Sequence, residues 1–273
     1  MSKQVSILYF SATGGTAKIV KSVAKGFADT YKEYNITLPG NREKEIFFDS
    51  NDFLIVGVPV YAGRVPKFLI DFFTNVKGNN TSAVFIAVYG NRNYDDALIE
   101  LKDTFESNGF IGISAGAFIA EHSNSSKVGA NRPDAKDLEK ARKFGAYIKD
   151  KLESLGAMSP LPELTVKGNV PYKERMPTPP IVPDTIDVCT KCGICAKHCP
   201  MGAISFINFK DIDSTKCVRC CSCIRKCPVN AKTINHEIFN NITQGLIDNF
   251  STIRNEPEFF TKTQPGTVLL HLF

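Results

Sequence analysis

Val5-Ser6-Ile7-Leu8-Tyr9-Phe10, followed at once by Ser11-Ala12-Thr13-Gly14-Gly15-Thr16, is the stretch that decides the fold of the first half of the chain. A mostly apolar six-residue run reads as a strand, the Thr/Gly-rich turn ends it, and the apolar spacing beyond residue 15 reads as a helix. Working outward, further apolar runs stand at Phe53–Val58, Ala83–Tyr89 and Ile111–Ile119, with a weaker one near Ile46–Phe48. Between them lie helical patterns over 15–32, 65–75, 94–108 and 134–154. Near-continuous apolar strands separated by amphipathic helices imply an α/β domain, a five-stranded parallel sheet with helices on both faces. In such sheets ligands sit beyond the carboxyl ends of the strands, so the loops after the strands are where function is expected.

The chain has 273 residues, 43% hydrophobic and 22% charged, enough for one full core and a small second module. No apolar stretch reaches 18 residues and no cleavable signal precedes the first strand, so no membrane span and a cytoplasmic location are expected. The formal charge of +5 comes with no basic run or DNA-binding motif, which argues against nucleic acid as a partner. Seven of the fifteen prolines fall within residues 160–183. Such a segment cannot hold a helix or a central strand and is expected to run extended as a stiff spacer. This divides the chain into a first domain at 1–156, a proline-rich linker at 157–183, a cysteine-rich domain at 184–236 and an extension at 237–273 that carries no motif.

Eight of the nine cysteines form two copies of one pattern, Cys189-x2-Cys192-x2-Cys195-x3-Cys199-Pro200 and Cys217-x2-Cys220-x2-Cys223-x3-Cys227-Pro228, offset by 28 residues. A tight run of three thiolates supplies three corners of a cubane, and the fourth must come from elsewhere. Zinc sites pair two C-x2-C units across a longer spacer, and disulfides need a secretory context that is absent here. The pattern therefore reads as two [4Fe–4S] clusters. The duplication extends beyond the ligands: Ala203 matches Ala231, and Gly202 matches Asn230, both types that tolerate positive φ. The ninth cysteine, Cys221, stands where the first copy has Gly193. Counting from either side selects Cys220 as the ligand and leaves Cys221 a small buried thiol.

The cysteine runs resemble bacterial two-cluster ferredoxins, small α+β domains in which the last cysteine of each run ligates the other cluster. That resemblance implies one set of Cys189, Cys192, Cys195 and Cys227 and another of Cys217, Cys220, Cys223 and Cys199. Ile194, Ile204, Phe206, Val218 and Ile234 are expected to cover the clusters. In the first domain, Ser11-Ala12-Thr13-Gly14-Gly15-Thr16 is neither a G-x-x-x-x-G-K-[ST] nor a G-x-G-x-x-G loop; it resembles the FMN phosphate loop of short-chain flavodoxins. Backbone N–H groups at a helix start, with the hydroxyls of Ser11, Thr13 and Thr16 and the close approach that Gly14 and Gly15 allow, suit a phosphate. Two later stretches agree: Pro59-Val60-Tyr61-Ala62-Gly63-Arg64, and Tyr89-Gly90-Asn91-Arg92-Asn93-Tyr94-Asp95. Both look like the loops that flank the flavin ring in the flavodoxin fold. As a whole, residues 1 to 236 are similar to flavodoxin–ferredoxin fusion proteins of anaerobes.

The resemblance implies FMN and two [4Fe–4S] clusters as cofactors. Tyr61 and Tyr94 are then candidates to stack on the ring, and Arg64 or Arg92 to offset negative charge at its pyrimidine side. His122 on the same rim is a candidate proton donor, against the plainer reading of a surface histidine. With about −2 for each oxidised cluster with its thiolates and about −2 for a flavin phosphate, the loaded protein sits near neutrality. The expected function is electron transfer between the clusters and FMN, with redox proteins as partners. The alternative is an FMN-dependent reductase of a quinone or other small organic acceptor, which needs a pocket over the ring that residues around Tyr172, Lys173 or His122 would wall. Oligomeric state is not legible.

Overall fold

The structure is a computed structural model that describes residues 3–155, 162–177 and 179–262. In chain order, β1 (Gln4–Tyr9) leads into α1 (Gly15–Phe27), followed by β2 (Lys32–Asn35), β3 (Ile46–Phe48), β4 (Asp52–Pro59) and α2 (Lys67–Phe73). Next come β5 (Val76–Gly78), β6 (Thr81–Tyr89), α3 (Ala97–Glu106), β7 (Phe110–Ile119) and α4 (Ala135–Leu155). The remainder holds β8 (Asp184–Thr185), α5 (Ile194–Lys197), α6 (Ser222–Arg225), β9 (Lys232–Thr233), α7 (Glu237–Phe250) and β10 (Glu258–Thr261).

The main sheet has the order β10-β7-β6-β4-β1-β2. Its five parallel members run in the doubly wound, flavodoxin-like order, with β1 at the switch point. Alternation along each strand divides the core into two layers. Val5, Ile7 and Tyr9 of β1 face α1 and α4 with Phe53, Ile55 and Phe144. Leu8 and Phe10 face α2 and α3 with Leu54, Val56, Leu69, Leu101 and Phe105. Helices α1 and α4 meet backbone to backbone: a Cβ on Gly26 would lie 1.8 Å from the Arg142 carbonyl oxygen, and one on Gly145 2.0 Å from that of Val23.

Three features differ from the sequence expectation. The fifth parallel strand is β2, Lys32–Asn35, whereas the weaker apolar run Ile46–Phe48 pairs only with β5 outside the main sheet. Phe48 is nonetheless fully buried, at an edge contact with Tyr34; its apolar character serves the layer beneath the sheet rather than the sheet. The extension at 237–273 supplies a sixth, antiparallel strand, β10, on the free edge of β7. Phe259 stacks on Phe144 with ring centroids 4.7 Å apart, and Phe260 enters the opposite layer. Finally, the described part of the proline-rich segment carries no helix or strand, in keeping with its composition, yet it is fastened down. Leu164 and Val166 are buried in the core, Tyr172 donates to Asp103 at 2.6 Å, and Arg175 bonds Glu100 and the Val65 carbonyl. The expected domain boundary at 156–157 falls outside the described residues.

The cysteine-rich part is two twinned halves. Helices α5 and α6 begin at Gly193 and Cys221, both with positive φ (75° and 57°), and β8 pairs antiparallel with β9. The duplication read from the sequence reappears in the turns: Gly202 N–H donates to the Cys199 carbonyl at 3.2 Å and Asn230 N–H to that of Cys227 at 3.3 Å.

Candidate functional site

At the carboxyl end of β1, Gly14 (φ 99°) swings the chain into α1; as N-cap it offers no side chain, and the first turn holds no acidic residue. The first N–H groups of a helix have no partner within it, so this end is built to receive an anion. The loop is shaped from both sides. Ser11 Oγ accepts from Ala17 N–H at 3.0 Å, Thr37 Oγ1 accepts from Ser11 N–H at 3.0 Å, and Asn35 Oδ1 orients Thr37. A Cβ on Gly15 would lie 2.7 Å from Ala120 Cβ, so glycine is what lets α1 sit against the end of β7. Thr13 is exposed and Thr16 buried.

The loop after β4 closes as a two-residue turn in which Tyr61 and Arg64 exchange backbone hydrogen bonds of 2.9 and 3.1 Å across Ala62 and Gly63. Val60 N–H bonds the Val88 carbonyl, and Pro59 ends the strand. Tyr61 is half-buried against the core, with burial and the nearby Cys220 and Cys221 holding its phenol well above the usual pKa. Arg64 points elsewhere. Its guanidinium bonds both oxygens of the buried Glu100 at 2.7 and 2.8 Å, donates to the Lys173 carbonyl and lies 4.7 Å from the Tyr172 ring centroid. Its charge is consumed within the fold, so the expected role at a flavin ring does not fit its side chain.

The loop after β6 brings similar corrections. Tyr94 is 4% exposed, tilted against Tyr89, and donates its hydroxyl to Glu258 of β10 at 2.9 Å, which makes it a core residue and not a stacking platform. Asn91 is fully buried and clasps the extension: Nδ2 donates to the carbonyls of Phe250 and Ile253, and Oδ1 accepts from Asn255 N–H. Arg92 pairs with Asp95, which also holds Lys173 at 3.2 Å. Gly90 lies directly under the His122 ring. Burial, with Arg225 and Arg92 nearby, lowers the His122 pKa to about 4, and its Nδ1 accepts from Asn124 N–H. A neutral imidazole is a poor proton donor at neutral pH, and His122, packed on Gly90 beneath Arg225, is a partly buried packing residue rather than a free surface histidine.

Cys189, Cys192, Cys195 and Cys227 line one hollow together with Phe209 and Lys232. Cys199, Cys217, Cys220 and Cys223 form the other neighbourhood, close enough that Cys199 raises the pKa of the other three. All nine cysteines are free, and among the described residues no three Cys, His, Asp or Glu side chains converge on a single ion. Twin amides serve twin sulfurs: Ala203 N–H donates to Cys199 Sγ at 3.2 Å and Ala231 N–H to Cys227 Sγ at 3.1 Å. Burial pushes the Cys220 and Cys223 thiols up to about 12. Cys221 is buried with its S–H directed at Asn124 and the Arg219 carbonyl. Of the expected apolar cover, Ile204 is buried, whereas Phe206 is 63% exposed and Phe209 takes its place at the hollow.

The second quartet faces the loops of the sheet. Cys220 packs against the core beside Tyr61. Ser222 Oγ donates to the Ala12 carbonyl at 2.9 Å, and Arg225 bonds Glu121 and the carbonyls of His122 and Ser123. Arg42, seated over Phe10 and Phe68, donates to the Pro200 carbonyl at 2.6 Å and to those of Ile36 and Thr37. None of Arg42, Ser222 or Arg225 was singled out in the sequence. The signal was in the repeat: Cys221, Ser222 and Arg225 replace Gly193, Ile194 and Lys197, and these mismatches are where one copy touches the sheet.

The flavodoxin domain family matches residues 6–117, and the 4Fe-4S binding domain family matches twice, at 186–205 and 210–233. The chain is a flavodoxin–ferredoxin fusion. Similar solved structures include a flavodoxin from the domain Archaea (12% identity, 55% of this chain and 99% of that one, TM-score 0.39). Oxidised flavodoxin 1 from Bacillus cereus aligns at 16% identity over 54% of this chain and 98% of that one, TM-score 0.39. The rubredoxin oxygen:oxidoreductase from Desulfovibrio gigas aligns at 17% over 57% of this chain and 38% of that one, TM-score 0.41. No match is found among curated proteins.

The fusion's two domain families imply FMN and two [4Fe–4S] clusters, and the residues present fit both. The glycine-led start of α1 with its hydroxyl-rich loop suits the FMN phosphate. The first quartet lines a hollow and the second gathers its four sulfurs in one neighbourhood, as a cubane requires, and thiols held protonated by burial are released by coordination to iron. No described helix of the fusion is long and apolar enough to cross a membrane.

Proposed function

We propose that the fusion is an electron relay in which the second quartet, Cys217, Cys220, Cys223 and Cys199, holds the cluster next to FMN, and Cys189, Cys192, Cys195 and Cys227 hold the outer one. The observation that carries this reading is the placement of Cys220 against Tyr61 at the loops beyond the sheet, while Cys192 of the first quartet is exposed. FMN supplies one- and two-electron chemistry and the clusters one-electron chemistry. The chain's own part is to bind and space them. The amides at the start of α1, with Ser11, Thr13 and Thr16, would hold the phosphate, and Tyr61 and the backbone of residues 60–63 and 89–91 would flank the ring. Arg42, Ser222 and Arg225 fix the ferredoxin half over those loops. The carrier reading has more support than the reductase reading, because two of the residues suggested as pocket walls are engaged, Tyr172 with Asp103 and Arg64 and His122 beneath Arg225, while the hollow that Lys173 lines is walled in part by the acidic Asp95, Asp96 and Glu258. Redox proteins docking at the outer cluster are the expected partners.

Anaerobic rapid mixing with a one-electron donor, followed at the iron–sulfur and flavin absorbances, tests the relay. Flavin bleaching should trail cluster bleaching, and protein loaded with FMN but not iron should reduce its flavin much more slowly. Equal flavin rates with and without iron would overturn the reading.

A further inference from the structure

The duplication pairs most positions of the ferredoxin half, and at one buried pair the chemistry changes. Ile204 is 4% exposed and packs with Cys195, Cys199 and Ile212; its counterpart 28 residues on is Lys232, 2% exposed. An ammonium out of water is costly unless a negative charge faces it. The buried Lys102 shows the ordinary solution, lying between Asp103 and Glu106. Lys232 has no such neighbour among the described residues. Its Nζ donates to Thr185 Oγ1 at 2.6 Å and to the Phe209 carbonyl at 2.5 Å, both neutral. Its backbone is fixed opposite Thr185 in the β8–β9 ladder, and its side chain lines the hollow of Cys189, Cys192, Cys195 and Cys227.

We propose that the counter-charge of Lys232 is the iron–sulfur centre itself, and that this lysine raises the reduction potential of the outer cluster above what the apolar residue of the first repeat would give. The inference rests on the two-cluster reading above. Reduction adds one negative charge to a cluster, so a fixed cation at its wall stabilises the reduced form more than the oxidised one, and net charge and hydrogen bonding are among the factors that set cluster potentials. The cation lies on the wall of the outer hollow, so the outer couple should respond more than the inner one. That places the outer cluster as the easier acceptor for an incoming electron.

The test is Lys232→Gln, which keeps N–H donors for Thr185 and Phe209 and removes the charge. Iron and FMN are first counted in the native protein; fewer than two clusters there would sink the two-cluster reading itself. With two clusters present in both proteins, EPR-monitored redox titration should show the outer couple of the variant about tenfold less reduced at a fixed potential, a drop of about 59 mV, with a smaller change in the inner couple. Unchanged couples in a fully loaded variant overturn the inference. Should Lys232→Gln fail to load iron, Lys232→Arg decides. Two clusters restored by the retained charge support it, and clusters lost despite that charge overturn it.

Discussion

Tyr61 and Tyr94 occupy similar sequence contexts, each in a polar loop just past a parallel strand, and the structure gives them different surroundings, Tyr61 half-buried beside Cys220 and Tyr94 buried in the core. What separates them is Glu258, more than 160 residues from Tyr94, whose carboxylate takes the Tyr94 hydroxyl and draws the ring into the core. Tyr94→Phe should therefore lower stability by about 1 kcal/mol and leave FMN affinity within about twofold, whereas Tyr61→Ala should weaken FMN about tenfold, the worth of one ring stack; flavin fluorescence titration reads both. His122 gives a pH signature. Its folded pKa of about 4 lies below the ordinary 6.5, so the fold favours the neutral ring. The stability this contributes is fully present above the unfolded value and is lost as pH falls from 6.5 through 4. The ceiling is about 3 kcal/mol. Melting scans across that window should show a steeper acid decline in the native protein than in His122→Gln, and parallel curves would contradict the assignment.

At the scale of elements, β1, β4, β6 and β7 were legible because a parallel strand buried on both faces must be apolar throughout. The edge strand β2 was not: Lys32-Glu33-Tyr34-Asn35 has three exposed residues and is specified by its register against Ser6–Tyr9 rather than by its letters. The cysteine spacing was legible because cluster geometry is local, while the clasp of Asn91 on the extension was not, since four hydrogen bonds across about 160 residues leave no mark on periodicity. That clasp carries a prediction. Asn91 is fully buried and bonds Phe250, Ile253 and both amides of Asn255. Asn91→Ala should cost about 2–3 kcal/mol, from donors and acceptors left unpaired. It should also loosen β10 before the rest of the sheet, since Asn91 ties down the turn between α7 and β10, with Arg132 on the Asn255 carbonyl, Arg254 on Asp134 and Asp137, Lys140 on Glu256 and Tyr94 on Glu258 among the remaining anchors. Hydrogen exchange would show lost protection over residues 258–261 and at their partners 114–117 in β7, with α1 and β1 unchanged. Uniform loss across the sheet would mean that β10 is not a separable unit.

The whole molecule is held in its working arrangement by few contacts. Interfaces between domains of one chain are ordinarily loose enough to permit relative motion, yet here three polar anchors reach different loops of the flavodoxin half: Arg42 to Pro200, Ser222 to Ala12, and Arg225 to the segment Glu121–Ser123. Each anchor binds a backbone carbonyl, which cannot move without moving the loop that carries it. The loops so pinned include the phosphate loop and the turn over Gly90, so domain placement and flavin site are one construction. The proline-rich strap adds stiffness through α3 and the loop after β4, where Tyr172 meets Asp103, Arg175 meets Glu100 and the Val65 carbonyl, and Arg64 meets the Lys173 carbonyl. Removing two of the three anchors should therefore loosen the ferredoxin half without unfolding either half, because Arg225 is exposed and Arg42 is a half-buried side chain lying over Phe10 and Phe68, so that neither belongs to the buried apolar core. In Arg42→Ala/Arg225→Ala, FMN and iron contents should stay native, since no cluster or phosphate contact is removed. Flavin bleaching after rapid mixing with a one-electron donor should slow at least about tenfold, equivalent to about 1.4 kcal/mol of barrier, and solution scattering should report a larger radius of gyration. A native bleaching rate in an expanded molecule would show that the two halves exchange electrons without the docked geometry, and would reduce the anchors to a packing role.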